Sequence, residues 1–144
     1  MKIAHKKSAL ALAGLTTSFA LAFSASAAMA QSGSWGDLWV GSDGRLDNSD
    51  WRFDNSGNYG GFVVDGYVCD EDADGDGVYG QGRTDGHGYS SKEGDDNGAA
   101  SGCDWEGREF YSPAVIYVDS GQYQICVNDW GFDTCNESPR EYRN

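Results

Sequence analysis

The residues with the most chemistry in them are the carboxylates of the run Cys69-Asp70-Glu71-Asp72-Ala73-Asp74-Gly75-Asp76-Gly77-Val78-Tyr79-Gly80. Alternating acids in a glycine-rich turn are what a calcium loop uses, because Ca²⁺ takes six to eight oxygens from a tightly turning backbone. An EF-hand also needs a bidentate Glu at its twelfth position. Counted from Asp70 that position is Gln81, and counted from Asp72 it is Arg83. The flanking runs Val63–Val68 and Val78–Thr84 read as strands rather than helices, so an EF-hand is excluded. The simplest reading is an acidic, solvated β-hairpin turn. The competing one is a calcium site outside the EF-hand class, with Asp70, Asp72, Asp74 and Asp76 as ligands, in which the cation relieves the repulsion among them.

Other reactive groups are sparse. His87 is the single histidine after residue 30 and stands between Gly86 and Gly88. A Ser-His-Asp triad needs a histidine held rigidly by its neighbours, which such a loop does not provide. Neither Gly-x-Ser-x-Gly nor His-Glu-x-x-His occurs. Paired carboxylates run glycoside hydrolysis, but in a chain with 23 Asp and Glu chance pairs are inevitable. The expectation is a protein that is not an enzyme and carries no cofactor, calcium excepted. Four cysteines, Cys69, Cys103, Cys126 and Cys135, lack Cys-x-x-Cys spacing. This argues against zinc and redox motifs and for two disulfides. The pairing expected is Cys69–Cys103 with Cys126–Cys135, since the latter two bracket a short hairpin-like segment.

The elements that must position these groups are strands. Long helical periodicity is absent after residue 30, and short β-prone runs alternate with Gly, Asp, Asn and Ser clusters. That is the pattern of an all-β fold, a small antiparallel sandwich or barrel. Leu38-Trp39-Val40 and Trp51-Arg52-Phe53 are expected strands, parted by turns at Asp43-Gly44 and Asp47-Asn48. In Phe62–Cys69, Val64 and Val68 share one face while Val63, Tyr67 and Cys69 share the other. Val78–Thr84 is its expected antiparallel partner. Ala114–Val118 and Tyr123–Val127 are expected to form a hairpin across Asp119-Ser120-Gly121. Gly86–Gly102 reads as a long surface loop, and Pro139–Asn144 as a frayed tail.

Several of these pieces together resemble small exported disulfide-bonded β-proteins of actinobacteria. They are Asp70 to Gly75, Val78-Tyr79, the stretch from Asn97-Gly98-Ala99 to Cys103, and Ile125-Cys126-Val127. The resemblance implies a compact disulfide-bonded β-fold and favours the hairpin-turn reading of the acidic run. It implies no activity, as that group has no agreed one.

Aromatic residues offer the remaining chemistry. All five Trp and all eight Tyr fall after residue 30. Sugar rings stack on exposed aromatic faces, and loop aromatics also anchor protein partners. Trp39, Trp51 and Tyr117 are expected in the core, because Val, Ile and Leu are scarce. Trp105 and Trp130, beside Asp104, Glu106, Asn128 and Asp129 in expected loops, are candidate ligand contacts together with Tyr59 and Tyr111.

The first thirty residues read as an address. Lys2, Lys6 and Lys7 precede an apolar stretch from Ala9 to Phe23, and Ala28-Met29-Ala30 supplies a cleavage site. A secretory signal peptide, 1–30, cleaved after Ala30, therefore precedes one secreted β-domain, 31–144. The apolar stretch is too short to span a bilayer. Cleavage takes the formal charge from −13 to −16, which argues against nucleic acid as a partner. The function expected is a monomeric, non-catalytic extracellular binding protein for carbohydrate or protein. The alternative is a secreted hydrolase inhibitor presenting the loop Asp129–Thr134 between Cys126 and Cys135.

Overall fold

The computed structural model describes residues 31–56, 59–94, 101–114 and 117–144. The expected signal peptide, Asn97-Gly98-Ala99 and Val115-Ile116 lie outside them. Among the described residues the fold is all-β: β1 (Ser32–Val40), β2 (Gly44–Asp54), β3 (Gly61–Asp70), β4 (Val78–Thr84), β5 (Gly102–Phe110), β6 (Ser120–Val127), β7 (Thr134–Glu137) and β8 (Glu141–Tyr142). Two antiparallel sheets face each other as a sandwich. The first has the order β1-β2-β3-β5; the second has the order β4-β6-β7, with β8 also paired to β6. Side-chain bonds tie β1 to the second sheet: Trp35 Nε1 donates to Glu141 Oε1 at 2.8 Å, and Asn136 Nδ2 to the Trp39 carbonyl at 2.7 Å. No helix among the described residues is long and apolar enough to cross a membrane.

The core is aromatic because aliphatics are scarce. Trp51, Phe53, Phe62, Phe110 and Tyr123 pack with Val40, Leu46, Val64, Val68, Val78, Val118, Ile125 and Val127, and Trp35 and Leu38 lean against them. Leu46 and Trp51 are an odd number of residues apart, so a regular strand would turn them to opposite faces. A bulge between Asp47 and Asp50, with Asn48 at φ 50°, resets the alternation and keeps both inside. Asp47-Asn48 is therefore an irregularity within β2 and not a turn. Irregularities on either side of Gly36 do the same in β1 for Trp35 and Leu38.

Both disulfides join residues directly opposite each other on neighbouring strands. Cys69 of β3 bonds Cys103 of β5, and Cys126 of β6 bonds Cys135 of β7. The expected pairing holds.

Four expectations about connectivity do not. Val78–Thr84 pairs with β6 and not with β3, whose two edges are occupied by β2 and β5. The acidic run thus crosses from one sheet to the other and is not a hairpin turn. Tyr117, Val118 and Asp119 form no strand. Val118 instead donates to the Tyr59 carbonyl, and Asp119 and Ser120 donate to Asp85 Oδ1, which starts β6. Within Gly86–Gly102, residues 90–93 run along β4, with Gly80 and Glu93 exchanging backbone bonds and so covering that edge. The tail is not frayed: β8 pairs with β6, and the Arg143 guanidinium is bound to the carbonyls of Val118 (2.7 Å) and Asp54 (3.1 Å) while it stacks on Phe53 and Tyr117.

One buried acid runs against this architecture. Glu106 of β5 points inward, 4 % exposed, beside the phenol of the fully buried Tyr123. Burial pushes its carboxyl above the ordinary 4.5; Glu93 adds to the rise, while Arg108 and the Tyr123 hydroxyl offset part of it. An acid whose folded pKa is raised is protonated in both states below 4.5, and it costs stability as pH climbs through the folded value. Glu106→Gln should therefore be more stable than wild type at neutral pH, by on the order of 1 kcal/mol or about 5 °C in melting temperature. The gap should close below pH 4.5. Melts across that range that stay parallel would rule out an ionised Glu106 as the cause.

Candidate functional site

One end of the sandwich collects the β1–β2 turn, the β3–β4 crossing and the β6–β7 loop, because the strands bounding them all start or stop there. Val127 pairs with Thr134, and Cys126 with Cys135, so the two strands are locked where the loop 128–133 leaves them. The base of the loop is then fixed by polar contacts. Asn128 donates its backbone N–H to the Gly77 carbonyl at 2.8 Å. Lys92 Nζ donates to Asn128 Oδ1 and Asp133 Oδ2, both at 3.0 Å, and lies 4.0 Å from the centre of the Tyr79 ring. The Tyr79 hydroxyl donates to Asp133 Oδ2 at 2.5 Å, and Thr134 Oγ1 to Asp129 Oδ2 at 2.8 Å. The Tyr79 and Lys92 bonds hold the Asp133 carboxyl below its usual range.

On this braced base stands Trp130-Gly131-Phe132. Gly131 has φ 127°, which side-chain-bearing residues rarely adopt, and the reversal it makes turns both neighbours outward. Trp130 is 99 % exposed and Phe132 95 %. Burying such rings is worth roughly 4–6 kcal/mol each, before the costs of association.

Carboxylates gather at the same end of the sandwich. Asp43, Asp72, Asp74, Asp76 and Asp129 lie in these loops, and among the described residues none of them forms an ion pair. The Asp76 carboxyl is raised by its own partial desolvation and then by Asp74, Asp129 and Asp43, so charge from all three loops converges there. The calcium-ligand set does not assemble as a cage. Asp70 is buried at the end of β3, where its Oδ1 accepts the Asp72 N–H, while Asp74 Oδ1 accepts the Asp76 N–H. Among the described residues, no three His, Cys, Asp or Glu side chains gather closely enough to hold a metal ion.

The four aromatic ligand candidates do not share a surface. Trp130 is at the acidic end. Trp105 lies on the outer face of the first sheet, in β5 rather than a loop, 60 % exposed and edge-on to Tyr67 with centroids 5.0 Å apart. Its indole crosses Gly107, where a Cβ would come within 2.5 Å of Nε1. Tyr59 and Tyr111 sit at the opposite end, and Tyr111 donates to Glu109 Oε2 at 2.5 Å. Trp39 and Tyr117, expected in the core, are both exposed, and Arg45 stacks on Trp39 at 5.0 Å. Trp51 is buried as expected.

Among the exposed rings that the sequence alone did not single out, two left a signal. Phe132 shares the Cys-bracketed segment with Trp130, and Tyr67 alternates away from Val64 and Val68. An open cleft of about 360 Å³ between Arg83, Tyr89, Arg108 and Tyr111 has little free chemistry. Arg83 is engaged by Gln122 and Arg108 by Glu93.

Comparison with protein-family models, curated proteins and solved structures gives no match.

Proposed function

We propose that the protein is a non-catalytic extracellular binding protein that docks onto another protein through the loop 128–133. The observation that carries this reading is the near-complete exposure of Trp130 and Phe132 on a loop braced by a disulfide. Protein interfaces concentrate their energy in a few aromatic anchors, and anchors already held in place lose little entropy on binding. The two disulfides are compatible with an oxidising compartment, and the signal-like residues 1–30 support export. A hydrolase inhibitor is one form such a protein can take, with the loop entering the cleft of its target.

Carbohydrate binding has a different support, the Tyr67–Trp105 pair on the open sheet face. Display-selected peptides separate the two. Peptides selected on the purified protein should bind about 100-fold more weakly or worse to Trp130→Ala/Phe132→Ala, as anchor residues carry about 2 kcal/mol or more each. The exposure of both rings leaves the fold intact in that variant. Peptides indifferent to it, alongside a glycan that shields Trp105 from iodide quenching, would move the site to the sheet face.

A further inference from the structure

The chemistry of the partner is written in what surrounds the two rings. Residues 31–144 carry seven Lys and Arg against 23 Asp and Glu, and the structure spends those cations internally. Arg45 pairs with Asp47 and Glu71, Arg52 with Asp65, Arg83 with Glu137, Lys92 with Asp133, and Arg108 with Glu93. Arg140 reaches Gln122, and Arg143 is bound to backbone carbonyls. At the acidic end, Arg45 and Lys92 are thus already neutralised by their own partners, while among the described residues Asp43, Asp72, Asp74, Asp76 and Asp129 form no ion pair.

The rim of the aromatic tip is therefore negative on the sides formed by the β1–β2 turn and the β3–β4 crossing. The Asp76 carboxyl, raised first by its own desolvation, is raised further by Asp74, Asp129 and Asp43. A neutral or acidic partner that buried Trp130 and Phe132 would have to approach this rim against desolvation and repulsion. A cationic one would relieve the repulsion as it docked.

We infer that the loop 128–133 recognises a basic protein surface: an apolar recess that accepts the Trp130 and Phe132 rings, bordered by Lys and Arg that meet the carboxylates of the two neighbouring loops. This rests on the protein-docking reading above. In this arrangement the rings hold the complex together and the acids set its rate of formation. Rim charges act mainly on association, whereas desolvated anchors act mainly on dissociation.

The test uses a random peptide library selected on the immobilised protein, with two variants as probes of mechanism. Trp130→Ala/Phe132→Ala removes the rings and keeps the charge. Asp72→Asn/Asp74→Asn/Asp76→Asn/Asp129→Asn removes four charges and keeps the rings. It also keeps the side-chain oxygens that Asp74 offers the Asp76 N–H and Asp129 offers Thr134. Selected sequences should combine Lys or Arg with apolar residues. Their association rate should fall about tenfold or more in the four-Asn variant at low salt, with dissociation little changed. The difference should vanish between about 10 mM and 1 M salt, as the screening length shrinks from about 30 to 3 Å.

If ring-dependent binders are neutral or acidic, or associate equally fast with the four-Asn variant, the cationic partner is wrong while the docking loop stands. If binders ignore the loss of both rings, the docking reading itself fails. Equal circular dichroism and melting curves for the variants would exclude misfolding as the cause of either result.

Discussion

Replacing Cys69 and Cys103 together by Ala is expected to lower stability by about 4 kcal/mol, and replacing Cys126 and Cys135 by about 3 kcal/mol. The order follows from chain entropy. The first bridge closes a loop of sequence separation 34 and the second one of 9, so the first removes more freedom from the unfolded chain. Each bridge joins a buried sulfur, Cys69 or Cys126, to a cysteine on the exposed side, and Ala at both positions avoids leaving a polar group in the buried site. Denaturant titration of the two variants measures the costs directly. A larger cost for the short bridge would mean that native packing, and not unfolded-state entropy, sets its value. Binding should follow the opposite order. The Cys126–Cys135 bridge locks the strands from which Trp130 and Phe132 project, so its loss should weaken selected peptides more than loss of Cys69–Cys103 does. A protein that loses less stability but more affinity would place pre-organisation of the loop at the centre of recognition.

How far the sequence could be read depended on whether each signal was local. Phe62–Cys69, Val78–Thr84 and Tyr123–Val127 were legible as strands because they are rich in Val, Ile, Tyr and Phe, the residues that suit a pleated, half-buried surface. β5 was not legible. Its inward positions are Glu106, Arg108 and Phe110, so the apolar alternation that marks a strand is nearly absent, and Trp105 looked like a loop residue. Which strand pairs with which was also hidden, because pairing is decided by distant residues. Asp119-Ser120-Gly121 has the composition of a hairpin turn, but Ser120 and Gly121 open a strand that is paired at this end with β4 and β8. Arg143 reads as a tail residue, and its role exists only once Val118, Asp54, Phe53 and Tyr117 are brought around it. At the candidate site, Trp130 was legible from its place beside Asn128 and Asp129 in an expected loop. The convergence of the Asp43, Asp74, Asp76 and Asp129 charges was not, since three separate loops supply them.

Gly121→Ala is expected to cost about 3 kcal/mol, the upper part of the usual range for forcing an extra methyl into a packed core. Glycine is needed here for space and not for an unusual backbone angle. A Cβ at residue 121 would lie 2.1 Å from Phe62 Cγ and 2.3 Å from both Cδ atoms, so the aromatic ring of one sheet rests directly on the backbone of the other. Neither side can yield easily. Phe62 is fully buried and held by Phe53, Trp35 and Trp51 at ring separations of 5.3, 6.1 and 6.4 Å, while β6 is pinned between β4 on one edge and β7 and β8 on the other. Gly82 seats Phe110 in the same way, with a Cβ placed 2.5 Å from its ring. Gly88 is the control: nothing lies within 4 Å of its Cβ position, and Gly88→Ala should be close to neutral. The cause is separable by a double substitution. If contact with the ring is what costs stability, Phe62→Leu should be less harmful in the Gly121→Ala background than alone, giving a favourable coupling of about 1 kcal/mol or more between the two sites. Strictly additive costs would instead place the penalty of Gly121→Ala in the β6 backbone, and the two sheets would then owe their close approach to something other than the Phe62 ring.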